Sequence, residues 1–167
     1  MTSIARERPE QRAEVLALNR VVFKGEEEAR IIGALTRDGL DVLSLVAMND
    51  GKISGHILFS QLDVEVDGRK IVAAALAPMA VLPDYQGRGI GTALVRRGLQ
   101  LLTEQGLEAV IVLGHIDFYP RFGFLPSLAR HLASPFQGMD AFMAMELRAG
   151  ALQGASGTCL YPAAFEL

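Results

Sequence analysis

The stretch that decides the fold reads Val81-Leu82-Pro83-Asp84-Tyr85-Gln86-Gly87-Arg88-Gly89-Ile90-Gly91-Thr92. It follows an apolar run typical of a buried strand, residues 71–82, and precedes residues 90–105, whose apolar side chains repeat at helical spacing. Glycines let the backbone of such a turn approach a ligand closely, and the first N–H groups of a helix have no partner inside the helix. The helix dipole and Arg88 add positive charge. The stretch therefore predicts a loop that binds a pyrophosphate.

Two common phosphate-binding loops do not fit this pattern. A Walker A loop requires Gly-Lys-Ser/Thr after its glycines, whereas Gly91 is followed by Thr92. The dinucleotide fingerprint requires another glycine interval and an acidic residue at the end of the next strand, which here ends before Gly114. What remains is Gln-x-x-Gly-x-Gly, starting at Gln86, between a strand and a helix. An ordinary glycine-rich turn is the competing interpretation.

The Gln-x-x-Gly-x-Gly loop resembles the acetyl-coenzyme A loop of the GCN5-related N-acetyltransferase (GNAT) family. A second segment, Phe118-Tyr119-Pro120-Arg121-Phe122-Gly123-Phe124, resembles the Tyr-x-x-x-Gly-Phe segment of the same family. The order and spacing of the two segments also match those of the family, and the resemblance covers roughly residues 42–147. It implies an α/β fold (an α+β mixed sheet) of the GNAT-like acyl-CoA N-acyltransferase type. An antiparallel meander is followed by a strand-helix-strand unit, with helices on both faces.

The hydrophobic pattern predicts the same order of elements. Asn49-Asp50-Gly51-Lys52 is a strong hairpin signal between two apolar strands, and residues 66–69 signal a second turn. We expect one GNAT-like domain over residues 1–148 and a C-terminal tail, 149–167, that packs back on it. Helices are predicted over 9–23, 26–36 and 90–105, and strands over 2–6, 43–48, 53–62, 71–81, 109–113 and 141–147, with a further strand opening at Phe124.

Pro78 lies inside a predicted central strand. Proline has no N–H to donate, so pairing with a neighbouring strand should lapse at this point. The backbone groups of residues 79–81 would then be free to bond the two amides of an extended pantetheine arm, much as an added strand would. The resemblance implies the same, because in this family two parallel strands separate here and the cofactor enters the gap. A proline at a strand end is the alternative.

Composition disfavours several classes of function. The chain has 167 residues, 50% of them hydrophobic, and a net charge of -3 without a basic block, which disfavours nucleic acid as a principal ligand. The single cysteine, Cys159, fits a reducing compartment. The first ten residues lack the apolar core of a signal peptide, and the longest apolar run is too short for a membrane span. Neither a membrane nor a metal site is expected, and a cytoplasmic protein is the default.

The resemblance implies an acetyl-CoA-dependent N-acetyltransferase with Tyr119 as general acid toward the coenzyme A sulfur. A phenol, with an ordinary pKa of about 10, is protonated at neutral pH. The competing role for Tyr119 is that of a core aromatic residue. The residues expected to bind the cofactor are Met79, Ala80, Val81, Gln86, Gly87, Arg88, Gly89, Ile90, Gly91, Thr92 and Tyr119.

An alkyl amine has a pKa of about 10 and is mostly protonated at pH 7, so a base is expected. The candidates are His115, Asp117, His56 and Glu65, of which His115 is carried forward. Many family members have an asparagine where this chain has Gly114-His115, so the usual asparagine role does not transfer.

The first two helices line the acceptor site in the family, which implicates Phe23, Glu26 and Glu27 in substrate binding. The acidic pair could attract a cationic amine, or simply complement a helix dipole. The expected reaction is direct attack of a primary amine on acetyl-CoA in a ternary complex. A non-catalytic, CoA-responsive binding or regulatory module is the alternative, and a hydroxyl acceptor or a longer acyl chain stays open. Dimers are common in the family, so a homodimer is among the expected states.

Overall fold

A computed structural model describes residues 1–165. These residues divide into two compact units. The first unit comprises Met1–Ser60 and Ala77–Gln100, and the second comprises Gln61–Leu76 and the chain from Leu101 onward.

Three α-helices and eight strands account for most of the described chain. The helices are α1 (Arg12–Phe23), α2 (Glu27–Arg37) and α3 (Ile90–Glu104). The strands are β1 (Ser3–Arg6), β2 (Asp41–Asn49), β3 (Lys52–Val66), β4 (Arg69–Val81), β5 (Ala109–Leu113), β6 (Leu132–Ala133), β7 (Phe142–Glu146) and β8 (Gly157–Leu160). No helix within residues 1–165 is long and apolar enough to cross a membrane.

In the first unit, the strand order is β1-β2-β3-β4. The β2–β3 hairpin closes with Asn49 opposite Lys52, and the two turn residues, Asp50 and Gly51, both have positive φ. This is the backbone that an Asp-Gly turn favours. The hairpin predicted at residues 49–52 is confirmed.

Helices pack on both faces of β3 in this unit. The amide of Asn19 in α1 lies 3.2 Å from Nδ1 of His56. A methyl group placed on Gly55, the preceding residue, would instead meet Ile90 and Leu94 of α3. Successive residues of a strand face opposite sides of a sheet, so α1 and α3 cover opposite faces. The predicted placement of helices on both faces is confirmed.

The second unit has the order β3-β4-β5-β7 and includes the parallel pair that the strand-helix-strand unit requires. Its ladder runs from Ala73 opposite Ala109 to Ala75 opposite Ile111, whereas β5 and β7 are antiparallel. The parallel ladder ends three residues before Pro78, and β4 continues to Val81. This agrees with the expectation that a proline would interrupt the pairing.

The C-terminal segment contributes a strand that the sequence did not predict. β8 is antiparallel to the end of β3, with Asp63 opposite Leu160, and parallel to β6. Leu152 and Cys159 are fully buried in the apolar core of this unit. The last two residues of the tail expected over 149–167 lie outside the described part of the chain.

The strand predicted to open at Phe124 does not form. Leu125 makes one isolated bridge to Ala144, and Pro126–Leu128 then form a 3₁₀ turn. Pro126 has no N–H to extend a ladder, and its fixed φ suits the first position of a helical turn.

Two helical glycines in the first unit differ in what surrounds them, which gives a test of the α3 packing. A methyl group at Gly98 would lie 2.4 Å from Cε2 of the buried Phe59, whereas one at Gly33 of α2 would meet nothing within 4 Å. We expect Gly98→Ala to lower the free energy of unfolding by about 1–3 kcal/mol through overpacking. Gly33→Ala should raise it by about 0.5–1 kcal/mol through helix propensity. Urea unfolding followed by circular dichroism measures both, and stabilisation by both substitutions would contradict the packing described here.

Candidate active site

The predicted pyrophosphate loop lies between the end of β4 and the start of α3 in the first unit. A 3₁₀ turn, Pro83–Tyr85, is followed by Gly87 and Gly89 with φ of 77° and 81°, a region that favours glycine. The N–H of Ala93 donates to the carbonyl of Gly89 at 3.0 Å, so Gly89, the residue before α3, accepts the first hydrogen bond of the helix. The N–H groups of residues 89–92 therefore have no acceptor within α3. Amides at the positive end of a helix dipole suit an anion.

Side chains of the same unit hold the loop in shape. The amide of Gln86 donates to the carbonyl of Val81 at 2.9 Å, which closes the loop on the end of β4. Cζ of Arg88 lies 5.0 Å from the centre of the Tyr85 ring, and Nζ of Lys52 lies 5.2 Å from it. Gln86 thus has an internal role within the loop, and the exposed Arg88 is steadied by a cation–π contact. The sequence did not indicate Lys52, because it lies far away along the chain.

The first unit brings ten of the predicted cofactor residues together on one strand-loop-helix. Residues 86–89 are exposed, and Gly91 and Thr92 are half-buried. Ala80 and Ile90 are buried, so their side chains are not exposed to a ligand in solution. The N–H of Leu82 donates to the carbonyl of Ser54 at 2.8 Å, which ties the end of this strand to β3.

Tyr119 belongs to the second unit, where it opens the 3₁₀ helix Tyr119–Phe122 that follows β5. Its side chain is 6% exposed and makes edge-to-face contacts with Phe118 and Phe124, with ring centres 5.0 and 5.6 Å away. Burial raises the pKa of Tyr119 to about 12. The phenol is therefore fully protonated at neutral pH and can act as a hydrogen-bond donor.

Phe118 and Gly123 bound this short helix. Phe118 is its N-cap residue, and no side chain caps the turn. Gly123 closes the helix with φ of 106°. The carbonyl of His115 accepts the N–H groups of Phe118 and Tyr119 at 3.1 and 3.2 Å, and the His115 side chain is exposed.

His56, another candidate base, is a structural residue. It is fully buried, with Nδ1 3.2 Å from the Asn19 amide and Nε2 3.0 Å from the Ser44 hydroxyl. Asn19 donates to Nδ1, so the proton of the neutral ring is assigned to Nε2. Both ring nitrogens are thus engaged within the first unit. Burial lowers the pKa of His56 to about 4. The negative charge of Glu7 acts against this lowering, and the positive charge of Arg12 adds to it.

A buried carboxylate completes this network. Glu7 accepts a hydrogen bond of 2.6 Å from the Ser44 hydroxyl and pairs with Arg12 through two hydrogen bonds of 2.7 and 2.9 Å. Burial alone would raise the pKa of Glu7, but the hydrogen bonds from Arg12 and Ser44 and the charge of Arg12 lower it overall. The sequence carried no signal for this network, because its members come from α1, β2, β3 and the residue that follows β1.

The residues predicted to bind the acceptor lie at the α1–α2 junction of the first unit. Phe23 ends α1 and is 39% exposed, and Glu27 is exposed at the start of α2. Glu26 forms an ion pair with Arg20, so its charge is partly compensated. Within residues 1–165, no group of three or more His, Cys, Asp or Glu side chains could hold a metal ion.

Residues 10–124 match the family model described as the acetyltransferase (GNAT) family. The match spans well over half of the chain and includes the strand-loop-helix and Tyr119. The fold and this match define an acetyltransferase. The chain belongs to the GNAT family.

Relatives from two bacteria support this assignment. The uncharacterized N-acetyltransferase YhbS of Escherichia coli is 37% identical over 147 residues, 87% of each chain. Its crystal structure in complex with CoA covers 99% of this chain and 92% of that chain, at a TM-score of 0.90 and 34% identity. A GNAT family acetyltransferase from Brucella melitensis in complex with acetyl-CoA has a TM-score of 0.80 at 32% identity, covering 99% of this chain and 98% of that chain. The uncharacterized N-acetyltransferase YjhQ of Escherichia coli is 41% identical, but the match spans 62% of this chain and 59% of YjhQ.

The lowered pKa of His56 predicts a loss of stability in mild acid. The unfolded histidine, with a pKa of about 6.5, binds a proton before the folded one does, so the free energy of unfolding falls as the pH drops from about 6.5 to 4. The expected loss is about 3 kcal/mol in all. Below this pH range His56 is protonated in both the folded and the unfolded protein, so it causes no further change in the free energy of unfolding.

Urea unfolding at several pH values between 4 and 7 measures this loss. His56→Gln should flatten the dependence within the window, whereas His115→Gln, which replaces an exposed histidine, should leave it unchanged. An equal dependence in the wild type and in His56→Gln would show that another group is responsible.

Proposed function

We propose that this acetyltransferase transfers the acetyl group of acetyl-CoA to a primary amine by direct attack in a ternary complex. The loop between β4 and α3 carries the proposal, because its free amides and exposed arginine suit a diphosphate. Relatives at 34% and 32% identity are described in complex with CoA and with acetyl-CoA.

In this proposal, the backbone N–H groups of residues 87–92 and the guanidinium of Arg88 hold the pyrophosphate. The backbone of Met79, Ala80 and Val81, beyond the end of the parallel ladder, bonds the pantetheine amides. A backbone N–H at the same place stabilises the thioester oxygen as negative charge develops on it.

The reaction forms a bond between the amine nitrogen and the acetyl carbon and breaks the bond between that carbon and sulfur. We assign Tyr119 as the general acid, as the family resemblance implies. Its pKa of about 12 exceeds that of a thiol, about 8.5, so it first stabilises the departing thiolate by donating a hydrogen bond. Transfer of the proton to sulfur is completed as the phenol regains a proton that the amine releases. The amine nitrogen loses that proton after it has attacked. A cationic amine must also lose a proton before it attacks, and the exposed side chain of His115 makes it our candidate to receive this earlier proton and exchange it with solvent.

The acceptor binds, in this proposal, at the α1–α2 junction. Phe23 offers an exposed apolar surface, and the carboxylate of Glu27 attracts a cationic amine. Glu26 contributes less, because Arg20 already compensates its charge.

The first test concerns the cofactor loop. Gly89→Val should weaken binding of CoA by about tenfold or more, because a β-branched residue at φ of 81° strains the backbone and blocks close approach. Gly68→Val is the matched control, since Gly68 has φ of 80° and equally open space but lies in the β3–β4 turn. Isothermal calorimetry with CoA gives the affinities. Equal affinity for CoA in the two variants would argue against this loop as the diphosphate site.

The second test concerns Tyr119. Tyr119→Phe should lower kcat by about a hundredfold or more while the Kd for acetyl-CoA changes less than about twofold, because the hydroxyl acts on the leaving group. Release of CoA thiol is followed over a broad panel of primary amines. Tyr161→Phe, which removes the hydroxyl of a partly buried tyrosine elsewhere in the second unit, should retain wild-type turnover. Binding of acetyl-CoA without thiol release for every amine would instead indicate a non-catalytic binding module.

A further inference from the structure

Gly114, the residue after β5, lies directly against the ring of Tyr119. A methyl group placed on it would be 2.4 Å from Cε2, 2.8 Å from Cδ2 and 3.4 Å from Cζ of that ring. Contacts below 3.0 Å essentially do not occur for real Cβ atoms, so any other residue here requires the ring or the strand end to move.

Space, and not backbone conformation, accounts for glycine at this position. The φ angle of Gly114 lies outside the left-handed region, unlike that of Gly123 at the end of the same segment. Its φ angle therefore does not by itself require a glycine. The backbone is also held in place, because the N–H of Gly114 donates to the carbonyl of Ala141 at 3.0 Å.

The ring has little room to move away from an added methyl group. Phe118 and Phe124 pack edge-to-face against it, and Phe124 is fully buried. The backbone of Tyr119 is tied to the carbonyl of His115, one residue beyond Gly114. A side chain at position 114 would thus turn the ring within a confined space. The hydroxyl would shift most, because it lies farthest from the Cα atom of Tyr119.

We propose that Gly114 is a positioning residue for catalysis: the absence of a side chain there lets the Tyr119 ring lie against the end of β5 and sets where its hydroxyl points. This inference rests on the proposed role of Tyr119.

Four variants test the inference. Gly114→Ala should lower kcat by about tenfold or more, because a shift of about 1 Å in a reacting group can cost a hundredfold. KM for acetyl-CoA should stay within about twofold of the wild type. In Gly114→Ala/Tyr119→Phe, turnover should equal that of Tyr119→Phe alone, since the hydroxyl that Gly114 positions is already gone. Gly98→Ala creates the same 2.4 Å contact with the ring of Phe59 and should lower stability without this change in kcat.

The outcomes separate the two proposals. If Tyr119→Phe loses turnover but Gly114→Ala does not, the inference about Gly114 is overturned and the proposed function stands. If Gly114→Ala lowers turnover equally in the wild type and in Tyr119→Phe, its effect does not pass through the hydroxyl and the inference is also wrong. Full activity of Tyr119→Phe would overturn the role of Tyr119 and, with it, that of Gly114.

A second pair of variants covers the case in which Gly114→Ala does not unfold cooperatively. Phe124→Leu shortens a residue that packs on the ring and gives the ring room to yield. Turnover of Phe124→Leu/Gly114→Ala should be about tenfold or more below that of Phe124→Leu alone. Equal turnover of these two variants would overturn the inference.

Discussion

The N–H groups at the start of α3 are the feature on which the proposed chemistry depends. A helix cannot satisfy its own first four donors, and here they follow Gly87 and Gly89, which have positive φ and no atom within 4 Å of where a Cβ would lie. Gln86 fixes the loop to the end of β4, so that the donors are arranged before any ligand arrives. Preorganised donors lose little entropy on binding. Backbone N–H groups can therefore bind a diphosphate at a surface that has no cluster of basic side chains.

The first unit joins this loop to a buried polar network on the other face of β3. Glu7, Arg12, Ser44 and His56 connect the end of β1 with α1, β2 and β3 through hydrogen bonds of 2.6–3.0 Å. A buried carboxylate is tolerated only when paired and hydrogen-bonded, and Glu7 meets both conditions. The network sets the place of α1 on the sheet. At the end of α1 lie Phe23 and the junction to which we assign the acceptor.

Features with a local cause could be predicted from the sequence. The Asp-Gly turn set the β2–β3 hairpin, and the glycines at 87 and 89 indicated the loop and the start of α3. Elements with a distant cause could not be predicted. β8 has four residues and no clear alternation, and it is a strand because β3 and β6 offer it partners. The hydrogen bonds of His56 to Asn19 and Ser44, and the close approach of the Tyr119 ring to Gly114, depend on tertiary packing and so could not be predicted.

The pairing of β8 with β3 has a consequence for how the chain folds during synthesis. Asp63 pairs with Leu160, which the ribosome adds 97 residues later (160 − 63). Closing so long a loop is slow, and the end of β3 cannot pair with β8 until residue 160 has been translated. The first unit needs no residue after Gln100 and can acquire its contacts earlier. Nascent chains arrested before β8 would therefore carry a complete first unit, while the end of β3 would lack its pairing with β8. Chaperones bind incomplete chains that expose unpaired strand edges of this kind.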